Sequence, residues 1–188
     1  MIKVGVTGNI GSGKSEIMNF ISKLGYCCVS SDKIISKLYK DKKTRTFILE
    51  KLNIGENNYK QEIINNLYKE EFNKKLKKII YPLLYSEKKF LTKKHRTYKP
   101  IFYEVPLLFE ENLSNDFDII IFVKSDLNKR KQRVLKRGSS EDYFSLMNNK
   151  QIKENVKKIK STFTIENNGS ILNLHLNIIK LLNKLWEK

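Results

Sequence analysis

Between a short apolar run, Ile2 to Thr7, and a stretch with apolar residues at helical spacing, the chain carries Gly8-Asn9-Ile10-Gly11-Ser12-Gly13-Lys14-Ser15. No other feature confines the fold as tightly, because this spacing fits a strand that turns sharply into a helix N-terminus. Small residues let the backbone N–H groups turn inward as an anion nest, and the helix start adds partial positive charge. A nucleotide triphosphate such as ATP suits that nest, with Lys14 reaching its β- and γ-phosphates and the Ser15 hydroxyl ligating Mg²⁺. The bland alternative is a Gly-rich turn with a chance lysine, and the strand-to-helix setting argues against it. Glu16 falls in the same first turn, where its carboxylate repels phosphates unless it points outward.

Beyond the loop, Ile17, Ile21 and Leu24 recur at helical spacing, and Gly25 sits where a helix C-cap belongs. Tyr26 to Ser30 reads as a second strand, which makes a right-handed βαβ unit. Asp32 follows that strand and precedes Ile34, Ile35 and Leu38, so it suits a helix N-cap. It also stands where open α/β sheets bind ligands. A carboxylate there accepts a proton from a substrate hydroxyl or holds Mg²⁺ through water, and both readings stay open.

From Thr44 to Tyr98 the chain is helical in character and basic, with Leu76, Ile79, Ile80, Leu83, Leu84 and Leu91 on one side. Pro82 is expected to break or restart a helix there. Ile101 to Val105 is the third strand, ending at Pro106, and Ile119 to Val123 is the fourth, an apolar run of the kind a parallel sheet buries on both faces. Asp126 opens a helix carrying Arg130, Arg133 and Arg137, which fall within about 60° on one face. Guanidinium groups supply bidentate donors to a migrating phosphoryl group; a solvated basic face is the alternative. Gly138, Ser139 and Ser140 form a joint before a helix running to about Lys160. Phe163 to Ile165 is the fifth strand, closed by Asn167-Asn168-Gly169, and Ile171, Leu174, Ile178, Leu181, Leu182 and Leu185 mark a last helix that docks on the sheet.

At 188 residues the chain fits one compact domain with an inserted lobe. Its formal net charge of +17 raises a nucleic-acid reading, but the excess is mostly Lys scattered along the helices with no dense tract. It is read as a basic field that attracts polyphosphates, with no obligate nucleic acid. Cys27 and Cys28 are neighbours and cannot staple distant segments, which agrees with a reducing compartment. No signal-like run and no membrane-length apolar run occurs, so a soluble, cytoplasmic protein is expected, and the oligomeric state stays open, a monomer among the options. His95 and His175 lack any partner pattern and are read as structural or surface residues.

Five stretches together resemble the dephospho-CoA kinase family. They are Val6 to Ser15, the Ser30-Ser31-Asp32 step, the Val105-Pro106-Leu107-Leu108-Phe109-Glu110 string, the arginine helix, and Ile165 to Gly169. They span nearly the whole chain in the family's order. The resemblance implies an α/β P-loop NTPase fold with a parallel five-stranded sheet flanked by helices. It implies a core of residues 1–43 and 99–188, an inserted helical CoA-binding lobe over 44–98 and a lid at about 137–150. The implied reaction is transfer of the ATP γ-phosphate, with Mg²⁺, to the ribose 3′-hydroxyl of dephospho-CoA, the last step of coenzyme A synthesis. By position, Asp32 becomes the base, Lys14 and Arg137 join it in catalysis, and Arg133 belongs to the ATP site. Gly8 to Glu16 cradle ATP, and Asn167 and Gly169 match the adenine-contacting turn. Tyr81, Pro106, Leu107, Leu108 and Glu110 fall on the acceptor side. Three positions depart from the pattern: Ser30 replaces an acid, Tyr81 a His and Leu146 an Arg.

Overall fold

The computed structural model describes residues 2–94 and 99–186, so His95 and the end of the 44–98 stretch lie outside the described residues. Two compact units divide the chain, one of Met1–Cys28 with Thr97–Lys188 and one of Val29–Arg96.

The first unit is built on a sheet of order β2-β3-β1-β4-β5. Its strands are β1 (Lys3–Gly8), β2 (Cys27–Ser30), within which the chain passes to the second unit, β3 (Ile101–Glu104), β4 (Ile119–Lys124) and β5 (Phe163–Glu166). β1 runs parallel to both β3 and β4, and β4 runs parallel to β5. The apolar β-branched runs place alternate residues on opposite faces. On one face Val4, Val6, Ile121, Val123 and Ile165 pack with Ile17, Met18 and Ile21 of α1 (Lys14–Lys23) and with Leu174, Ile178 and Leu182 of α9 (Ile171–Trp186). On the other, Ile120 meets Leu108 and Phe109 with Phe117 and Ile152 against them. Each such buried side chain stabilises by roughly 1.5–3 kcal/mol before entropy is counted. The sheet is therefore covered on both faces, as its unbroken apolar strands require.

Three expectations for this unit shift. The arginine-bearing helix α6 is Leu127–Leu135, so Arg137 lies past its end, in the turn leading to Gly138. The helix expected to run to Lys160 is two, α7 (Glu141–Asn149) and α8 (Glu154–Lys160). Between them Gln151 and the Ile152 N–H bond to distant partners, which pulls the chain out of helical geometry. The third strand ends one residue early, at Glu104.

The second unit is helical: α2 (Ser31–Lys40), α3 (Lys42–Leu52), α4 (Tyr59–Asn66) and α5 (Glu70–Lys94), with α2 and α3 each packed on α5. Ile34, Leu38, Ile48, Leu49, Leu52 and Ile80 are buried in it. Pro82 does not end a helix but sits inside α5. A mid-helix proline forfeits its bond to the carbonyl four residues back, here Lys78, at a cost of about 3 kcal/mol. Lys78 and Pro82 are both exposed, so water can take that carbonyl, and the apolar face of α5 offsets the rest. Asp32 is not the N-cap of α2: Ser30 holds that position and Asp32 lies in the first turn.

Candidate active site

The sheet delivers its chemistry where β1 ends and α1 begins. Gly11 and Gly13 have φ of +76° and +99°, in the left-handed region. A Cβ on them would stand 2.4 Å from the Arg130 carbonyl oxygen and 2.2 Å from Asn167 Nδ2, so only glycine fits either position. Lys14 curls back over the loop, its Nζ donating to the carbonyls of Gly8 (2.8 Å) and Asn9 (3.2 Å). Burial pushes its pKa down to about 8 against the pull of Glu104, with Lys157, Arg137 and Arg130 adding like charge. Ser12 Oγ is buried with no hydrogen-bond partner among the described residues, a donor left over for a ligand.

Ser15 Oγ donates to Glu104 Oε1 at 2.8 Å, across from the C-terminal end of β3. A hydroxyl beside a carboxylate is a hard-oxygen pair that suits Mg²⁺, which takes one or two carboxylates together with substrate phosphates. Glu104 escaped the sequence reading, although a carboxylate ending the strand next to β1 was a usable signal. Glu16 turns outward, toward His175 Nε2 at 3.7 Å, and His175 stacks on Phe20. The repulsion that its position threatened is thereby reduced.

Two arginines of α6 point at the back of the loop. Arg130 is buried and donates to the carbonyls of Ser125 (3.0 Å) and Ile10 (3.3 Å) and to Asn148 Oδ1 (2.8 Å), with Glu154 beside it at 3.2 Å. Arg133 Nη1 donates to the carbonyls of Gly11 and Ser12 (3.3 and 3.4 Å), and Nη2 donates to that of Asn167 (2.9 Å). Asn167 in turn donates its Nδ2 to the Ser12 carbonyl at 2.8 Å. The outward carbonyls of residues 10–12 are thus held by Arg130, Arg133 and Asn167. Arg137 differs: it is exposed, and its guanidinium has no hydrogen-bond or ion-pair partner among the described residues, while its backbone N–H donates to the Val134 carbonyl at 3.1 Å.

After β3, Pro106 is exposed, Leu107 half-buried, and Leu108 fully buried beneath Gly5. Glu110 Oε1 faces the fully buried Lys157 Nζ at 2.7 Å and accepts from the Ile152 N–H at 2.9 Å. Despite its burial the Glu110 carboxyl is held below the usual range, by Lys157 and that N–H. Lys157 was lost among the many lysines of the sequence. Gly169 is exposed in the turn after β5. The remaining two site residues, Asp32 on α2 and Tyr81 on α5, belong to the second unit and are both exposed.

Residues 2–173, which include this loop and the side chains that hold its carbonyls, match the family model described as dephospho-CoA kinase. The chain belongs to the dephospho-CoA kinase family. It is an ATP-dependent kinase of coenzyme A biosynthesis, a transferase, and dephospho-CoA is the acceptor for which the family is named. A dephospho-CoA kinase of Rickettsia typhi is 32% identical over 187 residues, covering 98% of each chain. Among solved structures, TT1252 of Thermus thermophilus has a TM-score of 0.74 at 25% identity, covering 98% of this chain and 97% of that one. A dephospho-CoA kinase of Campylobacter jejuni shares the fold, with a TM-score of 0.64 at 20% identity over 97% of this chain and 96% of that one. The architecture is that of an α/β P-loop NTPase. No helix among the described residues is long and apolar enough to cross a membrane.

Proposed function

We propose that the chain transfers the γ-phosphate of ATP to the ribose 3′-hydroxyl of dephospho-CoA, giving CoA and ADP as the last step of coenzyme A synthesis in the cytoplasm. The family match over residues 2–173 carries this reading. In it, Gly8 to Glu16 hold the triphosphate, with Lys14 on the β/γ-phosphates. Ser15 and Glu104 would hold Mg²⁺, which when bound neutralises charge on the phosphate oxygens. Asp32 takes the proton of the 3′-hydroxyl as its oxygen bonds to the γ-phosphorus, and the bond to the β–γ bridging oxygen breaks to release ADP.

Arg130 and Arg133 serve by shaping the loop, since their guanidinium groups are occupied with its carbonyls. Asn167, whose amide is engaged with Ser12, would meet adenine through the turn it begins with Gly169. On the acceptor side, Tyr81 and the helical lobe over 44–98 receive the pantetheine arm. Pro106 and Leu107 border the sugar, while Leu108 and Glu110, both anchored beneath, fix the loop that presents them.

The segment of about 137–150 acts as the lid. Gly138, at φ +86°, supplies a joint next to the free guanidinium of Arg137. With both substrates bound, Arg137 covers the phosphates and water is excluded. Arg137→Ala should lower turnover on the order of 10³-fold, the lower end for a transition-state arginine, and weaken ATP binding in the binary complex much less. Hydrogen exchange over residues 137–142 that is identical with and without both substrates would contradict a closing lid. The reaction itself is tested by coupled ADP release with dephospho-CoA and with a form lacking the pantetheine arm. Remote binding energy positions the hydroxyl, so the truncated acceptor should lose turnover as well as affinity.

A further inference from the structure

Gln151 lies in the connection between α7 and α8 and plays no part in the scheme above, yet its Oε1 accepts the Ile10 N–H of the phosphate loop at 2.7 Å. A peptide unit is planar and trans, so its N–H and C=O point in opposite directions and cannot turn separately. The unit that contains the Ile10 N–H also contains the Asn9 carbonyl. That carbonyl accepts from Lys14 Nζ at 3.2 Å and from the Ser12 N–H at 3.1 Å. Holding one end of this peptide therefore fixes the acceptor at its other end.

Gln151 is itself firmly seated. One residue on, the Ile152 N–H donates to Glu110 Oε1 at 2.9 Å. Either side of it, Asn148 and Glu154 engage the buried Arg130, whose Nη1 also donates to the Ile10 carbonyl. The stretch 148–154 is thus fixed to the same loop residue from two directions, and Ile10 is held by both its N–H and its C=O.

We propose that Gln151 is a positioning residue for Lys14: by accepting the Ile10 N–H it locks the Asn9–Ile10 peptide, whose carbonyl keeps the Lys14 ammonium over the loop before nucleotide arrives. The inference rests on the reading that this loop binds ATP. Without the acceptor the peptide can rotate, and the binding energy of ATP must then include the ordering of both the peptide and the lysine.

The experiment compares Gln151→Met, which keeps the length but removes the acceptor, with Gln151→Glu, which keeps an acceptor oxygen. Each is made in the wild-type and in the Lys14→Ala background. ATP dissociation constants are read by calorimetry with Mg²⁺, and the Ile10 amide shift by NMR. The expected result is about 10-fold weaker ATP binding for the Met variant, a value within about 3-fold of wild type for the Glu variant, and almost no further loss from Gln151→Met once Lys14 is Ala. A purely structural role would instead multiply the two losses, and that outcome overturns the proposal. A Met variant within 2-fold of wild type, or an equal loss in both variants, also overturns it. Wild-type protein that fails to bind ATP would overturn the loop reading beneath it.

Discussion

Asp32→Asn should lower turnover by about 10²- to 10⁴-fold, the range for loss of a positioned general base, while ATP still binds. The substitution keeps the shape of the side chain and removes its negative charge, and with it the capacity to take a proton. Asp32 lies exposed in the first turn of α2 and is not its N-cap, so its structural contribution is limited to a negative charge near a helix start. That interaction stabilises by roughly 0.3–1 kcal/mol. The variant should therefore melt close to wild type, and a fall in turnover cannot be ascribed to unfolding. Rate measurements alongside a melting curve make the test. An unchanged rate would leave Asp32 as a helix-start charge and nothing more.

Lys14→Ala should cost about 10²- to 10³-fold in turnover, as expected when one charge is withdrawn from the transferring group in a water-poor site. The lowered pKa of Lys14, about 8, adds a pH signature. The ammonium is the form that attracts phosphate, and bound ATP stabilises it, raising the pKa. ATP affinity should then decline as pH rises above about 8, with proton uptake on binding in that range, measured by calorimetry in buffers of different ionisation enthalpy. For folding the sign is opposite. A lysine whose pKa falls from 10.5 to about 8 costs the ligand-free protein at most roughly 3 kcal/mol below pH 8, at 1.36 kcal/mol per unit, and the cost disappears as pH climbs toward the unfolded value. Removing the ammonium should thus leave the empty protein at least as stable while disabling transfer. Wild-type turnover in Lys14→Ala would contradict the role assigned to the phosphate loop.

Local rules made the centre of this molecule legible in the sequence. The glycines and lysine between residues 8 and 15 require one backbone path, and the apolar β-branched runs at Ile2, Ile101, Ile119 and Phe163 match the strands within a residue or two. What escaped depends on contacts between distant segments. Pro82 stays within α5 because its missing bond falls on an exposed residue, Lys78, and the packed face outweighs the loss. The break between α7 and α8 arises because Gln151 and Ile152 reach Ile10 and Glu110, more than 40 residues away in sequence. The arginines share a helical period, but where each guanidinium points is set by which loop carbonyl lies opposite. Arg130 and Arg133 consequently grip the backbone while Arg137, beyond the helix, stays free. Lys157 is one of many lysines until a buried carboxylate, Glu110, is found 2.7 Å from its Nζ.

The central claim is the identity of the acceptor atom, and locating the transferred phosphate tests it most directly. The protein is supplied with ATP and Mg²⁺ and, separately, dephospho-CoA, adenosine, AMP, CMP and UMP, and each product is examined by mass spectrometry and phosphorus NMR. The expected result is phosphate on the 3′-oxygen of dephospho-CoA and no comparable product from the others. Efficient phosphorylation of a nucleoside monophosphate, with none on dephospho-CoA, would contradict it.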